Sequence, residues 1–374
     1  MKGHWIWPQG SRVGRARGGR AEMAAPADIV FLGYYGFGNF GDDLLLSIAH
    51  RLLRRRFPRA SLAVRTDRSG DYFARLLGEP VEIVRFGARS RHRLLVHGGG
   101  GTFFDYGRHG PWARLRGVLG RPRLSGERRV GLGIGVGRYD PGSRRLLEDL
   151  PVLADFTALW LRDPQSADNL RALGVAPPVR LGSDLAFLSE EWWQGGEAAP
   201  PVSRSKRLRV ALCLRDWLLP DGRDLAAAIA PAVARLAERC DLTLVSLEPE
   251  RDQKVLAAFS SLPQWHWRPE RMGLWEFAEG IAAHHVIVSA RAHGAICAAV
   301  LGRPAAILEI EPKLATVHRM LPNSSRLLPP QAAPEILAAA VEELAVVDPV
   351  RIAEDVAANR AASRAAWRWV EERL

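Results

Sequence analysis

No part of this 374-residue chain keeps together the roughly 18 to 20 apolar residues that a membrane-spanning helix needs, because Arg, Asp or Gly interrupts every apolar run within about ten. A soluble or peripheral protein is expected. Cysteine is nearly missing. Cys213, Cys240 and Cys297 are odd in number and lie in apolar segments, without the pairing of a zinc site or the density of a disulfide scaffold, so buried thiols in a reducing cytoplasm are expected. No His, Cys and carboxylate cluster has ligand spacing, so neither a metal nor a resident cofactor is implied. Lysine is scarce: only Lys2, Lys206, Lys254 and Lys313 occur, and the last stands in a Glu-Pro-Lys turn. No internal repeat is visible. An apolar segment of signal-peptide length is also missing from the first 22 residues, where Lys2, Arg12, Arg15, Arg17 and Arg20 against Glu22 hold +4 of the net +11. Residues 1–22 read as a disordered tail or as untranslated, with Met23 as the start. The remaining charge is basic without being extreme, and no nucleic-acid partner is expected.

What is present is enough apolar material, 47% of residues, to fill two cores. Short apolar runs alternate with helical stretches, the pattern of parallel sheets built from strand-helix-strand units. A first series predicts strands at 28–34, 61–66, 81–86, 93–97, 130–136, 156–161 and 179–183, with helices that include 42–56 and 164–173. A second predicts strands at 208–214, 242–247, 284–289 and 305–310, with helices at 224–239, 275–283 and 294–301. Between them, residues 189–206 carry Gly195, Gly196, Pro200 and Pro201 and almost no aliphatics, as an exposed connection does. The division expected is 23–188, linker 189–206, 207–332, and C-terminal helices over 333–374. Two doubly wound, Rossmann-like α/β domains facing a central cleft describe the GT-B architecture.

The first strand runs into Gly36-Phe37-Gly38-Asn39-Phe40-Gly41 and then a helix, formally a dinucleotide turn, with Asp67 ending the second strand. Asp42 and Asp43 argue against it, since two carboxylates would face a pyrophosphate where its charge should be neutralised. The same acids favour the positive helix end, so Asp42 reads equally as a cap or as a contact to acceptor hydroxyls. His97-Gly98-Gly99-Gly100-Gly101-Thr102 lets backbone approach either a ligand or a neighbouring segment, and Gly131, Gly133, Gly135 and Gly137 belong to the same crowded region.

In the second half Arg215, Arg291 with His293, and Lys313 each follow the end of a predicted strand, where open parallel sheets bind ligands. In the common doubly wound order the strands before Arg215 and Arg291 flank the reversal of winding, and the strand before Lys313 is next. Three cationic loops would converge on one crevice. A helix beginning near Gly294 would add an anion-attracting end. Taken singly, each cation is more often a solvated charge or a core partner; their joint placement suits a small polyanion. Arg108, Arg114, Arg116, Arg121, Arg123, Arg128 and Arg129 form a basic stretch, 108–129, that suits either a membrane surface or plain solvent.

In several separated places the chain resembles the polysaccharide pyruvyl transferases. These are Gly33 to Asp43, Gly98 to Thr102, Arg162-Asp163-Pro164-Gln165-Ser166, Ser183-Asp184, Leu214-Arg215, Ser289 to Gly294 and Glu311-Pro312-Lys313. The resemblance spans about residues 28–320 in order, and it departs from the Arg-Leu-His pattern at Ala292. It implies a GT-B-like fold and transfer of the pyruvyl group of phosphoenolpyruvate to a sugar of a cell-surface glycan or lipid-linked precursor. It also implies that the Arg-x-His element, here Arg291 and His293, takes part in donor binding.

Phosphoenolpyruvate, as co-substrate, carries a carboxylate and a phosphate of roughly −1.5 to −2. Arg215, Arg291 and Lys313 would meet these charges, the planar guanidinium groups in bidentate pairs and Lys313 as a point charge. His293 is the leading proton carrier, because imidazole titrates near neutrality. Asp42, Asp43 or Asp184 would receive hydroxyl protons. The acceptor is placed against the first domain, at Asn39, Asp42, Asp43, Gly99, Gly100, Thr102 and Asp184. The alternative is a GT-B glycosyltransferase using a nucleotide sugar, and a third reading is a non-enzymatic glycan or membrane-surface binder. The cytoplasm, at or near the inner face of the membrane, is the expected location.

Overall fold

The computed structural model describes residues 27–105, 124–140, 142–193 and 207–374. The expected tail and start site, residues 194–206 of the linker and most of the basic stretch (108–123) lie outside the described residues.

The first half forms a seven-stranded parallel sheet of β1 (Ile29–Leu32), β2 (Leu62–Arg65), β3 (Glu82–Val84), β4 (Ser90–Phe103), β5 (Leu124–Val136), β6 (Ala158–Leu161) and β7 (Val179–Leu181). Its order is β3-β2-β1-β4-β5-β6-β7. The second half forms a six-stranded sheet of β8 (Leu208–Cys213), β9 (Cys240–Ser246), β10 (Gln264–His266), β11 (Val286–Ser289), β12 (Ala305–Leu308) and β13 (Ser325–Leu328), ordered β10-β9-β8-β11-β12-β13. Winding therefore reverses between β1 and β4 in one sheet and between β8 and β11 in the other, and the second reversal is the one expected of the common doubly wound order. β1, β6, β11 and β12 are buried along their whole length, which is why each reads as an unbroken apolar run.

The helices are α1 (Phe40–Arg56), α2 (Gly70–Leu77), α3 (Arg144–Ala154), α4 (Pro164–Ala172), α5 (Leu225–Ala237), α6 (Gln253–Ala258), α7 (Leu274–Ala282), α8 (Ala292–Val300), α9 (Pro312–Met320), α10 (Pro334–Leu344) and α11 (Pro349–Glu371). In α1, Asn39 caps the start through its side-chain oxygen to the Gly41 amide at 2.9 Å. Asp42 and Asp43 lie in the first turn and Arg54, Arg55 and Arg56 in the last, both favoured by the helix dipole.

Two features differ from the sequence reading. Ser189–Glu191, assigned to the exposed linker, is a 3₁₀ turn followed by buried Trp192 and Trp193, and Trp193 stacks on Trp275 of α7 at 4.2 Å. Aromatic anchors with no periodic context around them are poorly legible as core. β10 and β13 were not anticipated, because both are short edge strands whose half-exposed polar residues, Gln264, His266 and Arg326 among them, break the apolar pattern. The C-terminal helices expected over 333–374 are α10 and α11. The second of them returns to the first domain, where Asn359 accepts from Ser183 Oγ at 2.7 Å and Ser363 Oγ donates to the Asp184 carbonyl at 3.1 Å.

The two halves also share one continuous apolar core. Phe40, at the head of α1, packs against Trp267 and Phe277 of the second domain at ring distances of 5.3 and 4.7 Å, and its amide donates to the Leu247 carbonyl at 2.8 Å.

Candidate active site

Where the two sheets' carboxyl ends meet, the chain gathers a cluster of buried charge. Arg215 follows β8, Arg291 follows β11 and Lys313 sits in the first turn of α9 after β12, so the three cations stand at the reversal of winding and on the strand beside it. They are not bare. Arg215 Nη1 and Lys313 Nζ share Glu311, at 3.3 and 2.8 Å, and the Arg215 guanidinium lies 5.1 Å from the centre of the Trp217 ring. Arg291 is buried between Glu248, at 3.1 Å, and Asp252. Only Lys313 is substantially open to solvent, its side chain 39% exposed.

Glu248 joins the domains. It is 1% exposed and accepts from Tyr34 Oη at 3.2 Å, Asn39 Nδ2 at 3.1 Å and Arg291 Nη1 at 3.1 Å. Its burial alone would raise its pKa, but Arg291, Arg251 and Arg215 hold the carboxyl below the usual range. Sequence reading missed Glu248, Asp252 and Glu311. Glu248 stands just past β9, so the strand-end rule that singled out the cations reaches it too, had the rule been applied to acids.

His293 lies in the first turn of α8, which begins at Ala292, earlier than the expected start near Gly294. Gly294 is where side-chain-free backbone is needed inside the helix, because a Cβ there would come within 2.4 Å of Ser289 Oγ. The imidazole Nδ1 rests against Gly41 of α1, while buried Nε2 faces Asp184 Oδ1 at 3.6 Å. Asp184 is fully buried and accepts from the Ala186 amide at 3.1 Å and from Arg162 Nη1 at 3.3 Å. Burial would raise the Asp184 pKa, yet His293, Arg162 and the amide together pull it down to about 2. A buried, ionised carboxylate under an imidazole is an orienting arrangement.

The remaining expected acceptor contacts divide. Asn39 is occupied by the α1 cap and by Glu248. Asp43 turns away from the cleft and accepts from Tyr72 Oη and Trp267 Nε1, the latter at 2.8 Å, so its role is to join the domains. Asp184 lies beneath His293 and not on an open surface. Thr102 Oγ1 donates to the Gly99 carbonyl at 3.4 Å. Asp42 and Gly100 stay in the cleft, half-buried and buried respectively, with Asp42 Oδ1 3.5 Å from where a Gly100 Cβ would stand.

Among the strand-end glycines, Gly98 and Gly99 serve close packing. Tyr35 Oη donates to the Gly98 carbonyl at 2.6 Å, and a Cβ on Gly99, whose φ is +62°, would come within 2.5 Å of Leu45. Gly99→Ala is expected to lower unfolding free energy by about 1–3 kcal/mol from backbone strain, with the clash adding to it. Gly142→Ala, on an open surface at φ +70°, is expected to lose only the strain part. Equal losses in urea titrations of the two variants would contradict the packing role.

Solved structures of low identity share this fold. An Anabaena protein, HepE, in complex with UDP superposes with a TM-score of 0.54 at 13% identity, covering 92% of this chain and 98% of that one. A glycosyltransferase from Rickettsia africae gives 0.55 at 10% identity over 93% and 98%, and a UDP-GlcNAc 2-epimerase from Neisseria meningitidis bound to UDP-GlcNAc gives 0.53 at 10% over 92% and 98%. No curated protein matches the chain. The two facing parallel-sheet domains, with charged strand ends between them, define a GT-B transferase. The chain belongs to the polysaccharide pyruvyl transferase family, whose model matches residues 39–312. Among the described residues, no helix is long and apolar enough to cross a membrane.

Proposed function

We propose that the protein transfers the pyruvyl group of phosphoenolpyruvate to two hydroxyls of a sugar in a cell-surface glycan or its precursor, forming a ketal. The observation that carries this reading is the convergence of Arg215, Arg291 and Lys313 from three neighbouring strand ends, beside a histidine held by a buried carboxylate. Glu311 occupies Arg215 and Lys313 in the free protein, and an entering phosphate or carboxylate of the donor competes for the same nitrogens. Arg291, fixed by Glu248 and Asp252, contributes charge and its remaining N–H groups from a set position. The acceptor binds from the side of Asp42 and Gly100. We place the reaction in the cytoplasm, with a glycan or a lipid-linked saccharide as the acceptor.

A second reading is a nucleotide-sugar glycosyltransferase, favoured by the UDP and UDP-GlcNAc held in two solved neighbours. The donor separates the two. Phosphoenolpyruvate is expected to raise the melting temperature, since a ligand at 100 times its Kd adds about 2.7 kcal/mol to the native state, while UDP-sugars leave it unchanged. The opposite ranking selects the glycosyltransferase. Phosphate release from phosphoenolpyruvate in the presence of glycans then tests the transfer itself.

A further inference from the structure

The head of α1 carries three polar side chains, Asn39, Asp42 and Asp43, and two are committed away from the cleft. Asn39 caps the helix and bonds Glu248, and Asp43 is buried against Tyr72 and Trp267. Asp42 differs from both. It is half-buried, its carboxylate accepts no hydrogen bond and makes no ion pair with the described residues, and it faces the side-chain-free backbone of Gly100. The charged and titratable groups around it are Asp43, Tyr34 and Tyr35 from the first domain, and Glu248, Arg291 and Lys313 from the second. The group is therefore unpartnered, lies between the domains, and neighbours two of the three cations assigned to the donor.

We propose that Asp42 is the general acid of the pyruvyl transfer, giving its proton to the methylene carbon of phosphoenolpyruvate. The assignment rests on the donor reading above. Supporting it, packing around Asp42, then Glu248 and Asp43, push its carboxyl up to about 8 against the pull of Lys313 and Arg291, whereas Asp184 is held down to about 2. Asp42 thus carries a proton at neutral pH when Asp184 does not, the separation that distinguishes an acid from a carboxylate held as an orienting charge. An anionic donor beside it favours the protonated form further, so the carboxyl holds its proton when the donor is bound.

The steps balance without another reactant. The Asp42 O–H bond breaks and the electron pair of the donor's C=C bond takes the proton, forming the methyl group and a cationic C2. A sugar hydroxyl attacks C2 as its proton passes to His293. The bond from C2 to the phosphate oxygen then breaks, phosphate leaves with the electron pair and takes the His293 proton, and the second hydroxyl closes the ketal. Its proton returns to Asp42.

Calorimetric titration of phosphoenolpyruvate into the full chain, at about pH 8.5 in two buffers of different ionisation enthalpy, reads proton uptake directly. Wild type is expected to take up protons on binding, and Asp42→Asn markedly fewer, at equal or tighter donor affinity because a like charge is gone. Equal uptake in both proteins overturns the assignment. No binding of phosphoenolpyruvate by wild type, with binding of a UDP-sugar, removes the donor reading and this proposal with it. With a panel of nitrophenyl hexopyranosides as acceptors, phosphate release by Asp42→Asn is expected to be about 10²- to 10⁴-fold slower, and Asp42→Glu to recover part of it. Asn-variant turnover within about threefold of wild type also overturns it. A melting curve checks the fold and has its own sign. The raised carboxyl keeps its proton in the native state while the unfolded chain loses it near pH 4, so wild type loses stability from about pH 4 to 8. Asp42→Asn escapes that loss, and is expected to melt higher than wild type at about pH 9 and level with it at about pH 4.

Discussion

His293→Gln is expected to leave a folded protein that binds phosphoenolpyruvate almost as wild type does and turns over about 10²- to 10⁴-fold more slowly. Glutamine fills similar space against Gly41 and can still donate to Asp184, but it cannot exchange a proton near neutrality. Asp184→Asn provides the matching measurement, because Asp184 acts through the imidazole and is out of reach of any substrate. Its turnover is expected to fall in the same direction with the donor KM little changed, a split that a merely structural loss does not produce. The stability effect has a definite sign. The Asp184 carboxyl sits at about 2 when folded and near 3.9 when unfolded, so its ionised form stabilises the protein above about pH 4, and that contribution disappears as pH falls through 2. The difference amounts to something on the order of 2 kcal/mol, which Asp184→Asn forgoes at neutral pH. A His293→Gln protein with wild-type turnover removes the residue from the chemistry; a Gln variant that melts far below wild type makes it a packing element instead.

The largest loss of stability is expected at Arg291. Replacing it with Met leaves Glu248 and Asp252, 1% exposed each, without the cation that holds them at 3.1 Å and closer. Removing one partner of a buried ion pair typically costs about 3–5 kcal/mol, because the other charge stays buried and uncompensated, and here two are left. Part of that loss is regained at acid pH, where the two carboxyls take up protons. Arg291→Lys keeps one positive charge but cannot fork to both carboxylates, so it is expected to fall between Met and wild type in urea midpoint and to bind the donor weakly. Should Arg291→Met unfold at the wild-type midpoint, the Glu248–Arg291–Asp252 cluster is not what couples the strand ends. A double replacement, Arg291→Met with Glu248→Gln, separates the terms: recovery towards wild type attributes the cost to stranded charge, and no recovery attributes it to lost packing.

Much of this arrangement was legible in the sequence because parallel strands buried on both faces announce themselves as apolar runs. β1, β8, β11 and β12 fall where predicted, and the residues after the last three carry the cations. What those cations touch was not legible. Glu311 belongs to the same short turn as Lys313, but Glu248 and Asp252 reach Arg291 only once β9 and β11 are placed on either side of β8. Asp42 and Asp43 are adjacent and chemically alike, and only the third dimension separates a side chain bonded to Tyr72 and Trp267 from one left open beside Gly100. The glycine run 98–101 was read as ambiguous between ligand approach and crowding. Leu45 and Tyr35 account for Gly98 and Gly99 by crowding, while Gly100 remains on the cleft.

The return of α11 to the first domain bears on how the chain is made. Asp184 and Ser183, near the end of the first sheet, wait for Ser363 and Asn359, about 180 residues downstream, before their polar groups are covered. Domains generally fold as units, the N-terminal one first, while the ribosome still holds the rest. Here the first domain emerges with one flank open, and β6, β7 and the Gly182 surface that meets Ala366 stay uncovered until the last helix leaves the exit tunnel. The exposed interval is set by translation of the whole second domain, and an uncovered apolar flank is prone to aggregate over that time. Synthesis in this order also makes docking of α11 a late step of assembly, so that a chain stopped before Ser363 carries both sheets and still lacks a finished first domain.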